Sequence, residues 1–379
     1  MRFPGFSGEW TETTIGNVAD VIGGGTPDTT VSSYWDGDTA WFTPTEIGQK
    51  KYVGRSKRTI SEKGLGNSSA KLLPVGAILL TTRATIGEAS IALNACTTNQ
   101  GFQSLISKPN IDNEFLYYLI STKKKDLFEK ACGSTFMEIS ANEVRKIRIK
   151  TPTKQEQVRI AKFLAIVDDR METQIVAIED YKKLKGYLID KLIAQQGCTM
   201  KIRDIILQRA ERNRKGDDYT VLSVSNQKGF IAQSEQFEER EVASEDKSNY
   251  KIVRHDDFAY NPARINVGSI ARLSNYDCGI VSPMYICFHA NERVLPEFLG
   301  YFFESSYFAT EVEKRLEGSV RLCLSYESLC DIPIQIPDNE KQRVIIQKLD
   351  AISQKIVLEE QCLDLFKQQK AYLLKNMFV

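Results

Sequence analysis

Two stretches of the chain carry apolar residues at alternating steps of three and four positions, which is the spacing of a buried helix face. The first stretch places ten residues on this face: Ile160, Leu164, Val167, Met171, Ile175, Ile178, Tyr181, Leu184, Leu188 and Leu192. The second places eight: Ile345, Leu349, Ile352, Ile356, Leu363, Phe366, Leu373 and Met377. The pattern predicts two long helices of about 40 residues each, or roughly 60 Å.

Both predicted helices carry start signals. Pro152 precedes Thr153 and Glu156, which together form a capping-box pattern. Pro337 precedes Asp338, a favourable N-cap residue. Neither helix can bury its apolar face alone, so we expect the two to pair with each other in antiparallel fashion. The alternative is that each helix packs only against its own globular region.

The two helical stretches belong to an internal repeat with a period of 185 residues. The alignment keeps one register over residues 133–193 and begins with Gly133-Ser134, which recur as Gly318-Ser319. Upstream the offset drifts, to 183 where Asn99 to Phe102 meet Ser282 to Tyr285, and to 181 where Arg83 to Gly87 meet Arg264 to Gly268. Each half is therefore a variable region followed by a constant one, which predicts domains at residues 1–151, 152–197, 198–336 and 337–379.

The variable regions show mixed helix and strand patterns. Val75 to Leu80 and Ile86 to Leu93 have the length and turn signals of strands, while Phe115 to Ile120 and Phe298 to Phe303 begin short amphipathic helices. No βαβ alternation or dinucleotide fingerprint is present. The predicted fold class is α+β, with two mixed α/β globular domains separated by a pair of long antiparallel helices in a pseudo-two-fold repeat.

Composition narrows the possible chemistry. The chain has 379 residues, a formal net charge of +1 and 42% hydrophobic residues, which are globular averages. Its eight cysteines form no C-x-x-C pair and its histidines number two, so we predict buried reduced thiols and no metal site. No apolar run approaches the length of about 18 residues that a membrane span needs, and the first ten residues lack a signal-peptide core. We therefore expect a soluble cytoplasmic protein.

Candidate catalytic motifs are incomplete. Gly23 to Thr26 lacks the Gly-Lys-Ser/Thr that completes a phosphate loop, so a tight turn is favoured. Tyr260 to Arg264 is similar to the Asn-Pro-Pro-aromatic loop of amino-methyltransferases, but it lacks the second proline and the aromatic residue, so we interpret it as a strand end. Neither histidine lies in a nucleophile context. The chain is predicted not to be an enzyme.

Basic residues concentrate in one window of each half. Residues 50–71 carry seven basic residues against one acidic residue, and residues 201–215 carry six against two. Tyr34, Trp35, Trp41 and Tyr52 lie beside the first window. Each window alone is also typical of a solvated loop. A basic window in both copies of a repeat favours nucleic-acid binding, while the near-zero total charge predicts modest non-specific affinity.

Several motifs in this order resemble the specificity (S) subunit of a Type I restriction–modification system, over essentially the whole chain. They are Trp10, Ile15 to Val18, Gly24 to Pro27, Trp41, Arg83 to Gly87, and Pro152 with Glu156, Gln157 and Ile160. Two positions of the second repeat depart from the family pattern. Lys341 stands where the family usually has glutamate, and the arginine of Val158-Arg159 is shifted in Arg343-Val344.

The resemblance implies two target recognition domains, each reading one half of a bipartite sequence in double-stranded DNA. The paired helices would separate the two domains and dock two modification subunits that methylate adenine, and restriction subunits would complete the complex. S-adenosylmethionine, ATP and magnesium would then belong to the partner subunits, with no cofactor on this chain. The alternative is a stand-alone tandem DNA-binding or scaffold protein without a methyltransferase partner.

The basic windows, the repeat and the family resemblance together indicate candidate site residues. For DNA contact we predict Lys50, Lys51, Arg55, Lys57, Arg58, Arg83, Arg212, Asn213, Arg214, Asn226 and Arg264. For partner binding we predict Gln157, Arg159, Gln342 and Arg343. Arg83 and Arg264 align in the repeat, and a structural ion pair is the alternative role for them.

Overall fold

A computed structural model describes residues 2–131, 137–193, 197–226, 228–233, 247–318 and 322–378. Cys132, Gly133, Ser134 and Ser319, which the sequence analysis used, lie outside these ranges. The chain forms two compact units, the first comprising Met1–Gln174 with Cys362–Val379 and the second Ile175–Gln361. Both long helices begin in one unit and end in the other. The four domain boundaries drawn from the sequence stay predictions.

The first unit is built on small sheets. A two-stranded sheet pairs β1 with β10, a five-stranded sheet has the order β2-β9-β6-β7-β4, and a three-stranded sheet has the order β5-β3-β8. The strands are β1 Thr11–Thr14, β2 Ala19–Gly23, β3 Trp35–Phe42, β4 Tyr52–Val53, β5 Arg58–Ile60, β6 Ile78–Leu80, β7 Ala89–Ala92, β8 Cys96–Thr98, β9 Gln103–Ser107 and β10 Arg148–Thr151. The α-helices are α1 Ile15–Val18, α2 Glu62–Gly66, α3 Asn113–Ser121, α4 Lys124–Glu129, α5 Ala141–Arg145 and α6 Lys154–Ile193. Short 3-10 turns cover Ser32–Tyr34 and Pro44–Glu46.

The second unit has the same kind of construction. One sheet pairs β11 with β20, and two four-stranded sheets have the orders β12-β19-β16-β17 and β14-β13-β18-β15. The strands are β11 Cys198–Lys201, β12 Ile206–Arg209, β13 Val221–Ser225, β14 Gly229–Ala232, β15 Lys251–Arg254, β16 Asp257–Tyr260, β17 Ile270–Arg272, β18 Cys278–Val281, β19 Ile286–Ala290 and β20 Pro333–Ile336. The α-helices are α7 Pro296–Phe303, α8 Ser306–Glu313, α9 Tyr326–Cys330 and α10 Asn339–Met377. Further 3-10 turns cover Ile202–Asp204 and Pro262–Val267.

The internal repeat extends further upstream in the structure than in the sequence. Strand β1 pairs antiparallel with β10, and β11 pairs in the same way with β20. After these strands, the N–H of Ile15 donates to the carbonyl of Ile147, and the N–H of Ile202 donates to that of Ile332, each at 3.0 Å. The sequence hides this correspondence because backbone bonds hold these strands together, leaving their side chains free to differ.

The long helices are confirmed. Helix α6 spans 40 residues and begins two residues after Pro152, while α10 spans 39 residues and begins two residues after Pro337. In the first unit, Ile160, Leu164 and Val167 share one core cluster with Leu373 and Met377. In the second unit, the corresponding cluster joins Ile189 and Ile193 to Ile345, Ile346 and Leu349. The fold class is therefore the predicted mixed α and β arrangement with paired antiparallel helices.

Both predicted helix starts are capped, by different means. The N–H of Lys341 donates to the Asp338 carboxylate at 2.9 Å, as an N-cap aspartate requires. At the other start, Thr153 accepts the N–H of Glu156 at 3.4 Å. The buried Glu156 carboxylate, which the capping-box pattern assigns to the helix start, receives two hydrogen bonds of 2.8 Å from Arg2.

The two predicted strands of the first half are shorter than expected. Strand β6 begins at Ile78 and β7 at Ala89, three residues later than the apolar runs predict. The reason lies in Gly76 and Gly87, which take left-handed φ angles of 86° and 87° and form turns in place of the first strand residues. Helices α3 and α7 confirm the predicted amphipathic helices.

Membrane-spanning and metal-binding features were also considered in the sequence, and the structure bears on both. Within the described ranges, no helix is both long and apolar enough to cross a membrane. The same part of the chain contains no cluster of three or more His, Cys, Asp or Glu side chains suited to a metal ion. Seven cysteines lie in the described part and are free thiols, with Cys96, Cys287 and Cys330 buried.

Candidate nucleic-acid interface

The first basic window divides between two parts of its unit. Lys51 forms an ion pair with Glu114, and its Nζ lies 3.0 Å from the hydroxyl of Tyr118. Because both partners lie on α3, the Lys51 ammonium is already engaged within the unit. Its side chain is 11% exposed. Lys50 is exposed, and its carbonyl accepts the hydroxyl of Ser90 at 2.7 Å. Of these two predicted DNA contacts, Lys50 alone presents an exposed side chain.

The side chains of Arg55, Lys57 and Arg58 are also exposed. Arg58 starts β5, a strand of the three-stranded sheet. The guanidinium carbon of Arg58 lies 3.5 Å from the centre of the Trp35 ring. Trp35 meets Trp41 edge to face at 5.1 Å, and both rings are buried. The structure thus brings the predicted aromatics to the basic residues, where Trp35 supports a guanidinium by cation–π contact.

Hydrogen bonds hold the loop from Gly24 to Pro27 next to the Trp41 ring. The indole N–H of Trp41 donates to the carbonyl of Gly25 at 2.9 Å, and the N–H of Gly25 donates to that of Thr98 at 2.8 Å. A Cβ on Gly24 would lie 2.0 Å from the backbone oxygen of Asn99. The glycines therefore allow a close backbone approach. Gly23 ends β2 and residues 24–26 form no turn, so the prediction of a tight turn here was wrong.

Arg83 forms an ion pair, which is the alternative to DNA contact predicted for this residue. Its guanidinium lies 2.6 Å from the Glu138 carboxylate, and the side chain is 41% exposed. In the 185-residue repeat, position 138 corresponds to Cys323, so the second unit has no acidic residue at the equivalent position. Arg264 is exposed.

Backbone hydrogen bonds show how the two halves correspond near these two arginines. The carbonyl of Thr82 accepts the N–H of Ile139 at 3.2 Å, and the carbonyl of Pro262 accepts the N–H of Leu324 at 3.1 Å. Ile139 and Leu324 correspond at the 185-residue offset, so Thr82 matches Pro262 at an offset of 180. Gly87 and Gly268, which both take left-handed φ angles, match at the predicted offset of 181, so the offset changes by one within this stretch.

In the second unit, Arg212 and Arg214 are exposed on the loop after β12, and a buried Asn213 separates them. The amide of Asn213 bonds to both the N–H and the carbonyl of Asp217 at 2.9 Å, and its own N–H donates to the carbonyl of Tyr250 at 2.9 Å. Asn213 thus holds the loop that presents the two arginines. Its side-chain hydrogen-bonding groups are occupied within the loop.

A cleft of about 580 Å³ opens beside this loop. Tyr250, to which the loop is bonded, lines the cleft, and so does Arg264. Asn226 is exposed at the end of β13, and its Cβ would lie 3.8 Å from a Cβ placed on Gly268. Of the predicted DNA residues of the second unit, Arg264 lines this cleft, and the loop of Arg212 and Arg214 is bonded to the cleft residue Tyr250.

The four predicted partner-binding residues occupy two environments. Gln157 and Gln342 are 2% and 0% exposed, and their amides bond to backbone groups beside each helix start. Arg159 and Arg343 are exposed, and the Arg159 guanidinium carbon lies 6.0 Å from the Phe3 ring centre.

Both units contain a junction that the sequence did not predict, in which a tyrosine of the globular region donates a hydrogen bond to an aspartate of a long helix. Tyr118 on α3 donates to Asp168 on α6 at 2.7 Å, and Lys370 on α10 pairs with the same carboxylate at 2.6 Å. Burial, followed by the bond to Asp168, raises the pKa of Tyr118, which keeps its hydroxyl protonated as a donor. The junction joins one globular region to both long helices.

The second unit repeats this junction with altered partners. Tyr301 donates to Asp350 on α10 at 2.6 Å, and the ammonium of Lys185 on α6 lies 5.2 Å from the Tyr301 ring centre. Tyr301 and Tyr118 correspond at offset 183, and Lys185 and Lys370 at offset 185. The repeat of both residue types at the established offsets was the signal that could have identified them.

Residues 7–180 match the family described as the type I restriction modification DNA specificity domain. The chain is also similar to the type I restriction enzyme MjaIX specificity subunit of Methanocaldococcus jannaschii, with 37% identity over 191 residues, or 48% of this chain and 44% of that protein. The EcoR124I/EcoR124II specificity subunit of Escherichia coli is 28% identical over 163 residues, or 41% of this chain and 40% of that protein. These matches thus span less than half the length of either relative.

Two solved structures share the fold along the whole chain. The S subunit of a Type-I restriction-modification system from M. genitalium covers 100% of this chain and 99% of its own, with a TM-score of 0.56 and 16% identity. A chain from a study of complex assembly and conformational transition of the type I R-M system covers 98% of both, with a TM-score of 0.63 and 14% identity. At these identities the likeness shows the fold alone.

Proposed function

We propose that this chain, whose residues 7–180 match the type I restriction modification DNA specificity family, selects the DNA sequence for a restriction–modification complex. In this proposal each unit reads one half of a bipartite target in double-stranded DNA. The observation that carries the proposal is the repeated scaffold, whose two copies present different exposed basic groups. A duplicated scaffold with dissimilar reading surfaces suits a target with two unlike halves.

In the first unit, Arg55, Lys57 and Arg58 supply phosphate contacts that fix the unit on the duplex. Stacking of Arg58 on Trp35 holds the guanidinium in place before DNA arrives, which lowers the entropic cost of the contact. In the second unit, Arg212, Arg214 and the rim of the cleft serve the same purpose. Base edges then distinguish one sequence from another.

Two modification subunits would dock on outward faces of α6 and α10, where Arg159 and Arg343 are exposed. The buried Gln157 and Gln342 would support docking indirectly, by fixing the start of each helix. Adenine methylation, with its S-adenosylmethionine, would belong to these partners, and ATP and magnesium to restriction subunits. This chain would act in the cytoplasm as a non-catalytic targeting subunit.

Methylation sequencing of cells with and without this chain tests the proposal. Deleting the chain should abolish one bipartite adenine-methylation motif, and restoring it should restore the same motif. A deletion that leaves every methylated motif unchanged while the purified chain still binds DNA would support a stand-alone DNA-binding protein. A second variant lacking residues 153–193 should lose binding to the modification subunit.

A further inference from the structure

The cleft of the second unit contains a nearly buried amide with an unused donor. Asn261 follows β16, is 9% exposed, and accepts the N–H of Ala263 on its Oδ1 at 3.1 Å. In the described chain, the one partner of its Nδ2 is the sulfur of Met284 at 3.8 Å. Because a thioether is a weak acceptor, a ligand oxygen or nitrogen can replace Met284 as the partner of this NH₂ group.

The groups around this amide define the class of ligand. Arg264 lies three residues further on the same 3-10 turn and lines the cleft, together with the rings of Tyr250 and Tyr285. Met284, which covers the amide, is 60% exposed and can be displaced by a ligand. A cleft of about 580 Å³, with an amide donor, a cation and aromatic walls, suits the acceptor-rich edge of a nucleotide.

We propose that Asn261 is a specificity-determining residue whose Nδ2 donates to O6 and N7 of a guanine in the half-site read by the second unit. This inference rests on the proposed function. Guanine presents two adjacent acceptors in the major groove, which match the two hydrogens of one NH₂ group. The bond from Ala263 holds Oδ1 towards the backbone, which disfavours the bidentate pairing of asparagine with adenine. Arg264 then meets the adjoining phosphate.

In the described residues of the first unit, the position that corresponds to Asn261 has a different role. Since Thr82 matches Pro262, the residue corresponding to Asn261 is Thr81. Thr81 is fully buried, and its hydroxyl donates to the carbonyl of Thr85 and accepts the N–H of Glu88 at 3.1 Å. The hydroxyl hydrogen of Thr81 is therefore already donated within the unit and is not available to DNA. Changing Asn261 should alter one half of the target and leave the other half unchanged.

The test is selection from random duplex DNA by the full chain assembled with its modification subunits. Asn261→Asp keeps an oxygen for the Ala263 N–H and removes the NH₂ donor, as does Asn261→Ser. Both variants should lose the preference for one guanine in one half-site and bind the wild-type sequence about ten- to hundredfold more weakly.

Asn291→Asp is the matched control. The Oδ1 of Asn291 accepts the N–H of Arg293, two residues on, at 3.1 Å, and its Nδ2 donates to the carbonyl of Asp204 at 3.0 Å. It repeats the local geometry of Asn261 outside the cleft. This variant should keep the complete wild-type motif. Thermal unfolding of all three variants checks that each of them folds.

The outcomes separate the two claims. If the wild-type complex enriches no bipartite motif, the proposed function fails. If it does, and the Asn261 variants retain both halves or weaken both equally, the inference is overturned. Titration of guanosine monophosphate onto the full chain without DNA forms the last arm. Micromolar binding that Asn261→Asp abolishes would assign the cleft to a free nucleotide and overturn its role in DNA reading.

Discussion

Gln157 and Gln342 lie 185 positions apart and make the same buried hydrogen bond. The side-chain oxygen of Gln157 accepts the backbone N–H of Asp112 at 2.8 Å, and that of Gln342 accepts the N–H of Leu295 at 2.8 Å. Each NH₂ group donates to the carbonyl of the proline five residues earlier at 2.9 Å. Each long helix is thereby fastened at its start to the residue before α3 or α7.

Replacing Gln157 by leucine should destabilise the protein by about 1–3 kcal/mol, because the N–H of Asp112 and the carbonyl of Pro152 lose a buried partner. Urea unfolding measures the loss. Gln155→Leu, on an exposed position of the same helix turn, is the control and should change stability little. Equal stability of the two variants would contradict the fastening role.

Reversing the charge of Lys57 and Arg58 to glutamate should weaken DNA binding and flatten its salt dependence. Each lost phosphate contact reduces the slope of log K against log salt by about 0.9. The same double reversal at Lys125 and Lys183, which lie outside the two basic windows and are 86% and 74% exposed, should weaken DNA binding much less. Equal salt slopes for the two double variants would show that Lys57 and Arg58 do not contact DNA.

Glu138→Gln should strengthen non-specific DNA binding, because it removes the carboxylate that pairs with Arg83. A freed guanidinium that reaches a phosphate would add about 0.9 to the salt slope. Adding Arg83→Gln should return the slope to its wild-type value. Glu129→Gln, which makes the same charge change on α4, is the control. An unchanged slope in Glu138→Gln would assign Arg83 a purely structural role.

Cys96 and Cys287 should resist alkylation by iodoacetamide at pH 8, while the exposed Cys198 reacts. Burial raises the pKa of both Cys96 and Cys287 to about 12, so a fraction on the order of 10⁻⁴ is thiolate at pH 8. Their raised pKa also means that the folded state keeps protons that the unfolded chain releases from about pH 9, so their contribution to stability falls as the pH rises. Mass mapping of labelled peptides checks the reactivity. Equal labelling of Cys96 and Cys198 in the folded protein would contradict it.

Local signals predicted the helical part of the fold well. The spacing of apolar residues and the two prolines located α6 and α10 within two residues of their starts, because helix periodicity and capping depend on neighbouring residues. The exposure of individual residues along these helices was harder to predict from the sequence. Ile175 and Leu184 belong to the predicted buried face, yet they are 42% and 45% exposed, since one partner helix covers only part of that face.

The candidate site was harder to predict, because a charge count does not reveal partners that are distant in sequence. Lys51 is paired with Glu114, 63 residues further along the chain, and no local pattern indicates that contact. Gln157 and Gln342 recur in the repeat, which indicates a role common to both halves. Recurrence shows that both halves use a residue, but it does not show whether that residue faces the core or the solvent.

The fastening bonds of Gln157 and Gln342 have an evolutionary consequence. They are directed to the backbone N–H of Asp112 and Leu295, which every residue except proline provides. Mutations can therefore change the side chains of a recognition unit without loosening its attachment to the helices. Under the proposed function, this chain can acquire a new target through substitutions on one surface, while the contacts that hold the unit stay the same.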